Sequence, residues 1–187
     1  MILRKLAVTV MLFVGLLGFV VKANAAGMYG GLQYAATTYS TGTEEYDIGL
    51  VVGRFGFHFS DNLSVEGRVG AGVSDDSVSG TVSGFAYTTT LEIDQVLGLY
   101  AVGHLPMGPM LKLYGFAGIN QVSTTLTVDI PVISSTTTTS GDDSSVSYGV
   151  GADISMGIID INIEYVTYFK DGDDDISGIA VGVDLPF

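Results

Sequence analysis

Gly178-Ile179-Ala180-Val181-Gly182-Val183-Asp184-Leu185-Pro186-Phe187 closes the chain, and its reading decides the fold. Ile179, Val181, Val183, Leu185 and Phe187 share one parity, while Gly178, Ala180, Gly182 and Asp184 share the other. Successive side chains of a strand point to opposite faces, so this is a strand with one unbroken apolar face and one small or acidic face. The same alternation appears upstream. Ile159, Ile161, Ile163 and Tyr165 oppose Asp160, Asn162 and Glu164; Tyr148, Val150, Ala152, Ile154 and Met156 oppose Ser147, Gly149, Gly151, Asp153 and Ser155. Leu63, Val65, Val69, Ala71 and Val73 oppose Ser64, Glu66, Arg68, Gly70 and Gly72.

Eight such runs follow one another, at about 27–39, 46–60, 63–74, 85–105, 110–125, 144–156, 159–170 and 176–187. Ser60-Asp61-Asn62, Pro106-Met107-Gly108-Pro109 and the stretch near Met156-Gly157-Ile158 read as tight turns. Longer polar segments lie between them, around 40–45, 75–84, 126–143 and 171–175. An even number of strands, with short turns on one side and longer loops on the other, predicts an eight-stranded antiparallel up-and-down transmembrane β-barrel, an all-β fold. A secreted β-sandwich also alternates, but its outer face carries many solvated polar residues. Here the non-apolar face is mostly Gly, Ala and Ser with isolated charges, which suits a crowded interior.

The first 25 residues read as an address. Arg4 and Lys5 precede an uncharged run from Leu6 to Val21, followed by Lys22 and Ala23-Asn24-Ala25. This is the pattern of a secretory signal peptide over 1–25, with the barrel domain over 26–187. An uncleaved anchor is the competing reading; the run falls short of the ~20 residues that span a bilayer. Removing Arg4, Lys5 and Lys22 would take the net charge from −13 to −16. The balance of 7 Lys and Arg against 20 Asp and Glu argues against nucleic acid as a partner. The absence of cysteine removes a disulfide scaffold, a thiol nucleophile and a Cys-ligated zinc site.

A Lys or Arg on the lipid face near the bilayer midplane costs ~2–4 kcal/mol, so strand charges are expected to point inward. Arg54, Arg68, Lys112, Glu66, Asp153, Asp160, Glu164 and Asp184 all carry the inward parity. The second run strains this rule. With Arg54 inside, Phe55, Phe57 and Phe59 face lipid as an aromatic girdle, but Ile48, Leu50 and Val52 turn inward. A bulge or a reversed upper half would restore them to lipid.

Four segments carry a resemblance: GRFGFHFSDNLSVEGRVGAG (Gly53 to Gly72), LYGFAGIN (Leu113 to Asn120), SYGVGADISMGIIDINIEYVTY (Ser147 to Tyr168) and the terminal GIAVGVDLPF. In this order they resemble the small eight-stranded outer-membrane barrels of the OmpA and OmpX type, across most of the exported chain. The resemblance implies that Phe187 is the signal read by the barrel-assembly machinery, although Pro186 beside it lacks a ladder donor. It also implies an interior salt-bridge network, with Glu66 matching the acid of VEGR. We expect that network to hold Arg54, Glu66, Arg68, Lys112, Tyr114, Asp153 and Glu164. Side chains fill the interior of a barrel this small, so a structural plug is favoured over a pore. A narrow channel for small solutes or ions is the alternative.

Some barrels of this size modify lipid A. His58-Phe59-Ser60 resembles the His-x-Ser of a lipid A deacylase, but it precedes a tight turn, at the end away from the outer leaflet. His104 also precedes a tight turn, which leaves no histidine for a palmitoyltransferase at the outer side. The chain is therefore expected not to be an enzyme and to need no cofactor. Asp171, Asp173 and Asp175 offer oxygen ligands at calcium-loop spacing, but Ile176 and Gly182 stand where an EF-hand needs Gly and Glu. A solvated acidic tip is the favoured reading over weak Ca²⁺ binding. The Thr-rich segment 126–143 is either a flexible loop or two strands continuing above the membrane, with 73–92 as its neighbour. In the second case an exposed edge could recruit a partner strand. The function expected is support of the envelope, or surface interaction through acidic outer loops. The expected partners are outer-membrane lipids and lipopolysaccharide, the assembly machinery and a surface protein; the chain is expected to be a monomer.

Overall fold

The computed structural model describes residues 27–41, 45–82, 85–172 and 174–187. Residues 1–25, read above as a signal peptide, lie outside the described residues. The elements are β1 (Met28–Ser40), β2 (Glu45–Ser60), β3 (Leu63–Gly72), β4 (Asp76–Val82), β5 (Phe85–Pro106), β6 (Leu111–Ile130), β7 (Ser135–Ser155), β8 (Asp160–Asp171) and β9 (Asp174–Pro186), with a 3-10 turn at Pro131–Ile133. Every ladder is antiparallel. The order β3-β2-β1-β9-β8-β7-β6-β5 closes on itself through the β3–β5 pairing, making a ring of eight strands. The ninth strand, β4, stands outside the ring and, among the described residues, pairs only with the first part of β5.

The first and last strands form the seam. Their ladder runs from Tyr29↔Pro186 to Ser40↔Asp175, and reciprocal bonds between Met28 and Phe187 carry it past the proline. Gly178 and Gly182 lie on the inward face of β9, where a Cβ would drive into the carbonyl oxygens of Ala36 and Leu32 respectively. The seam backbones therefore approach closely, and glycine is what permits it.

The exterior is apolar. Leu32, Leu97, Leu99, Ile119, Val150, Ile163, Val181 and Val183 are exposed around the ring, with Phe55, Phe57 and Phe59 stacked toward the short-turn end. A patch of this extent exceeds the few hundred Å² that a soluble monomer leaves bare and marks a membrane-facing wall.

Strand β2 keeps a single parity. Its register with β1 is continuous from Met28↔Phe57 to Ser40↔Glu45, so Ile48, Leu50 and Val52 do point inward with Arg54. The bulge falls elsewhere, between His58 and Ser60. The inward turn is accommodated because the lumen's upper half is itself an apolar core: Ile48, Leu50 and Val52 pack with Ile93, Val96, Val122, Val166, Tyr168 and Ile176. The crowded polar interior expected from the mostly Gly, Ala and Ser face is thus replaced at this level by an apolar one. Below this core the filling is charged; above it the wall continues as bare sheet.

Segments 75–84 and 126–143 are not simple loops. β4 and the first part of β5 form a hairpin, and β6 and β7 stay paired from Leu111↔Ile154 to Ile130↔Ser135. With Thr88↔Asp129 joining β5 to β6, these four strands make one sheet that stands beyond the ring. Hydroxyl pairs line it: Ser77–Thr90, Ser79–Thr88, Thr125–Ser140 and Thr127–Thr138. Cross-strand Thr and Ser pairs of this kind hold a solvated ladder together. The Asp76 carboxylate accepts the backbone N–H groups of Asp47 and Ser77, which fastens β4 to β2 and holds that carboxyl below its ordinary range.

Candidate functional site

Register brings like charges face to face. Arg54 on β2 is the ladder partner of Arg68 on β3. Alone, that pairing is repulsive. Glu66, the preceding inward residue of β3, resolves it. One of its oxygens, Oε2, accepts from Arg54 Nε at 2.9 Å and Nη2 at 2.6 Å, while Oε1 accepts from Arg68 Nε at 2.5 Å. Glu164 on β8 closes the other side. It takes Arg68 Nη1 at 2.5 Å and Nη2 at 3.1 Å, a two-pronged contact, and lies 3.6 Å from Arg54 Nη1. Two cations and two anions balance, with every member buried.

Aromatic groups complete the cage. Tyr29 donates its hydroxyl to Glu66, and Tyr114 donates to Glu164 at 2.9 Å. The Arg68 guanidinium sits 4.2 Å from the Phe116 ring centre and 4.8 Å from that of Tyr100. These contacts satisfy the buried carboxylates and press flat cations onto π-faces. The network crosses the lumen from β2 and β3 to β6 and β8 and plugs it.

Of the seven residues expected together, Arg54, Glu66, Arg68, Tyr114 and Glu164 meet here. Lys112 and Asp153 do not; they face each other at 3.8 Å nearer the short-turn end. Their ladder partnership, Lys112↔Asp153, sets them below the network. Sequence reading missed Tyr29, Tyr100 and Phe116 as partners. It also missed the layer in which Gln33 donates to Asn162, and Asn162 to Asp184. Inward parity beside the charged residues was the available signal.

The histidines stand near the short turns. His58 and His104 have ring centres 4.8 Å apart, and His104 Nε2 lies 2.8 Å from Ser64 Oγ. No hydrogen-bond partner among the described residues reaches His104 Nδ1, so no carboxylate orients the ring as an activated serine requires. In the acidic tip, Asp173 and the side chain of Asp171 lie outside the described residues, while Asp175 accepts from Ser177 at 2.9 Å. Among the described residues no three His, Asp or Glu side chains gather to hold a metal ion. The Phe187 ring lies 6.2 Å from that of Phe55, at the foot of the seam.

The family described as outer membrane protein beta-barrel domain matches residues 7–187. Among solved structures, the attachment invasion locus protein Ail of Yersinia pestis is similar at 14% identity and a TM-score of 0.60, over 87% of this chain and 99% of that one. Neisserial surface protein A is similar at 16% identity and a TM-score of 0.52, over 88% of this chain and 100% of that one. No curated protein matches the sequence.

Proposed function

This chain belongs to the outer membrane protein beta-barrel domain family, and on that premise we propose that it is a closed, non-enzymatic barrel that presents a four-stranded sheet at the cell surface for interaction with a partner. The observation that carries the reading is the free edge of that sheet. Along β7 the pairing with β8 begins at Tyr148, so among the described residues Ser135 to Ser144 have no strand on their outer side. The far side of β4 is likewise the end of the sheet order. An edge with open N–H and C=O groups takes up a further strand, and its Thr, Ser and Asp side chains keep it soluble until one arrives.

In this reading residues 1–25 export the chain and are removed, Phe187 is read by the barrel-assembly machinery, and the short turns face the periplasm. Outer-membrane lipids and lipopolysaccharide surround a monomeric barrel. The outer sheet and loops are acidic, so polyanions such as nucleic acid are not its partners. One solved form of Ail is a complex with the heparin analogue sucrose octasulfate; we expect no such ligand here, because this surface has the opposite preference.

Cysteine labelling tests the placement, since the chain has no native cysteine. Thr137→Cys, at the outer tip, is expected to react with a membrane-impermeant maleimide in intact cells, and Asp61→Cys only after permeabilisation. The reverse pattern would remove the sheet from the surface and the proposal with it.

The channel reading is tested separately. The lumen holds a charged plug beneath an apolar core, and both would have to move for ions to cross. Purified protein in planar bilayers is therefore expected to show no discrete conductance steps. Regular openings would establish the channel instead.

A further inference from the structure

Below the Arg–Glu network the lumen opens at the short-turn end into a cavity of about 380 Å³, whose wall includes His104, Lys112, Asp153, Asp160 and Asp184. The network above is balanced by its own four charges, so by formal charge this vestibule's three carboxyl groups outnumber its one ammonium by two, with Arg54 at the edge of the network 3.6 Å from Asp184. Two of the carboxylates are sunk in the wall. Asp153 is 5% exposed, and its Oδ1 receives no hydrogen bond from the protein; its Oδ2 stands 3.8 Å from Lys112 Nζ. Asp184 is 4% exposed, and its Oδ1 has Arg54 Nε at 3.6 Å but no hydrogen-bond donor. His104, 6% exposed, adds an unpartnered Nδ1 to the same wall. Buried carboxylate oxygens and imidazole nitrogens are almost always paired, so three such atoms without a hydrogen-bond donor or acceptor in the wall of one cavity point to a partner from outside the chain.

The spacing says what kind of donor. Asp153 on β7 is the ladder partner of Asn162 on β8, and Asp160 on β8 is the partner of Asp184 on β9. Asp153 and Asp184 are thus two strands apart, about 9–10 Å across the strands, and two residues out of register along them. Among the described residues no three acidic or histidine side chains converge on one point as a metal ion needs. Two separated anionic positions fit a ligand with a cationic head at each end. We propose that the vestibule binds an aliphatic diammonium compound of the polyamine class, one head against Asp153 and the other against Asp160 and Asp184. Its methylene segment spans the inner face of β8, the strand between Asp153 and Asp184. The site is distinct from the outer sheet, and binding in solution does not depend on how the barrel is oriented in the membrane.

The test is calorimetric titration of 1,5-diaminopentane into protein extracted folded from membranes, in a zwitterionic detergent at low salt. Saturable one-to-one binding is expected. Asp153→Asn combined with Asp160→Asn should weaken it by about tenfold or more, through loss of charge-assisted contacts. Neither residue belongs to the Arg–Glu network, and heat-modifiable gel migration confirms that the variant is folded. Glu92→Gln combined with Asp143→Asn removes the same charge from the outer sheet and should leave binding unchanged. Butylamine, with one head, should bind about tenfold more weakly. The imidazole NMR resonances of His104 should move on adding the diamine. Absence of saturable heat would overturn the proposal, as would an equal loss in the outer-sheet variant. Mg²⁺ moving the His104 resonances as effectively as the diamine would also overturn it, in favour of an unselective cation site.

Discussion

Replacing Glu66 by alanine is expected to lower the stability of the folded barrel by about 3–5 kcal/mol, the cost of leaving a buried charge without its partner. Glu66 is the anion that hydrogen-bonds both guanidiniums on their shared ladder rung, so its loss leaves Arg54 facing Arg68 with no hydrogen-bonded carboxylate of its own, Glu164 and Asp184 standing off at 3.6 Å. Urea unfolding in micelles, followed by gel mobility without heating, measures the change. Removing a cation together with the acid discriminates this cause from mere loss of packing. Glu66→Leu combined with Arg54→Leu should be less damaging than Glu66→Leu alone, because the pair is removed with its charge balanced. A double variant at least as unstable as the single one would show that the network acts through volume and not through charge.

Gly178→Val is expected to prevent closure or to reach the top of the ~1–3 kcal/mol range of overpacked sites, and Gly182→Val to do the same. The obstacle in each case begins with backbone: the Ala36 carbonyl at Gly178, and the Leu32 carbonyl at Gly182, where Gln33 also crowds the site. A flexible side-chain tip could swing aside; a ladder strand cannot without breaking its pairing. These variants should accumulate as heat-unmodifiable, protease-sensitive protein in the refolding reaction. Gly141→Val in the outer sheet is the control, since no atom lies near its Cβ position. Normal folding of all three would mean that the seam is looser than its register implies.

Much of this was legible along the chain. Alternation in Gly178–Phe187 and its upstream counterparts is a local property of strands with one face in lipid, so period, strand count and ring closure follow from the residues themselves. Parity alone placed Arg54, Glu66, Arg68, Tyr114 and Glu164 inside. It could not place them relative to one another, because the height of a side chain in the lumen depends on the stagger between strands. Parity therefore groups Lys112 and Asp153 with residues that stand above them, and it does not bring Tyr29, on a strand distant in sequence, beside Glu66.

The second strand shows the same division. Its sequence carries two incompatible demands, an inward arginine and three apolar residues of the same parity. Either a bulge or an apolar interior could satisfy both. The choice belongs to the neighbours: Ile93, Val96, Val122 and Val166 arrive at the same height from β5, β6 and β8 and make the inner apolar position the favourable one. The Thr-rich segment was open between loop and sheet for a related reason, since a solvated strand has no buried face to mark its period. By itself the sequence determined an eight-stranded wall, its lipid face and the residues turned inward, because each depends on side-chain alternation within one strand. The tertiary structure decided the layering of the lumen into vestibule, charged plug and apolar core, and the outer sheet with its free edge. Those rest on register between strands, a relation that no single strand contains.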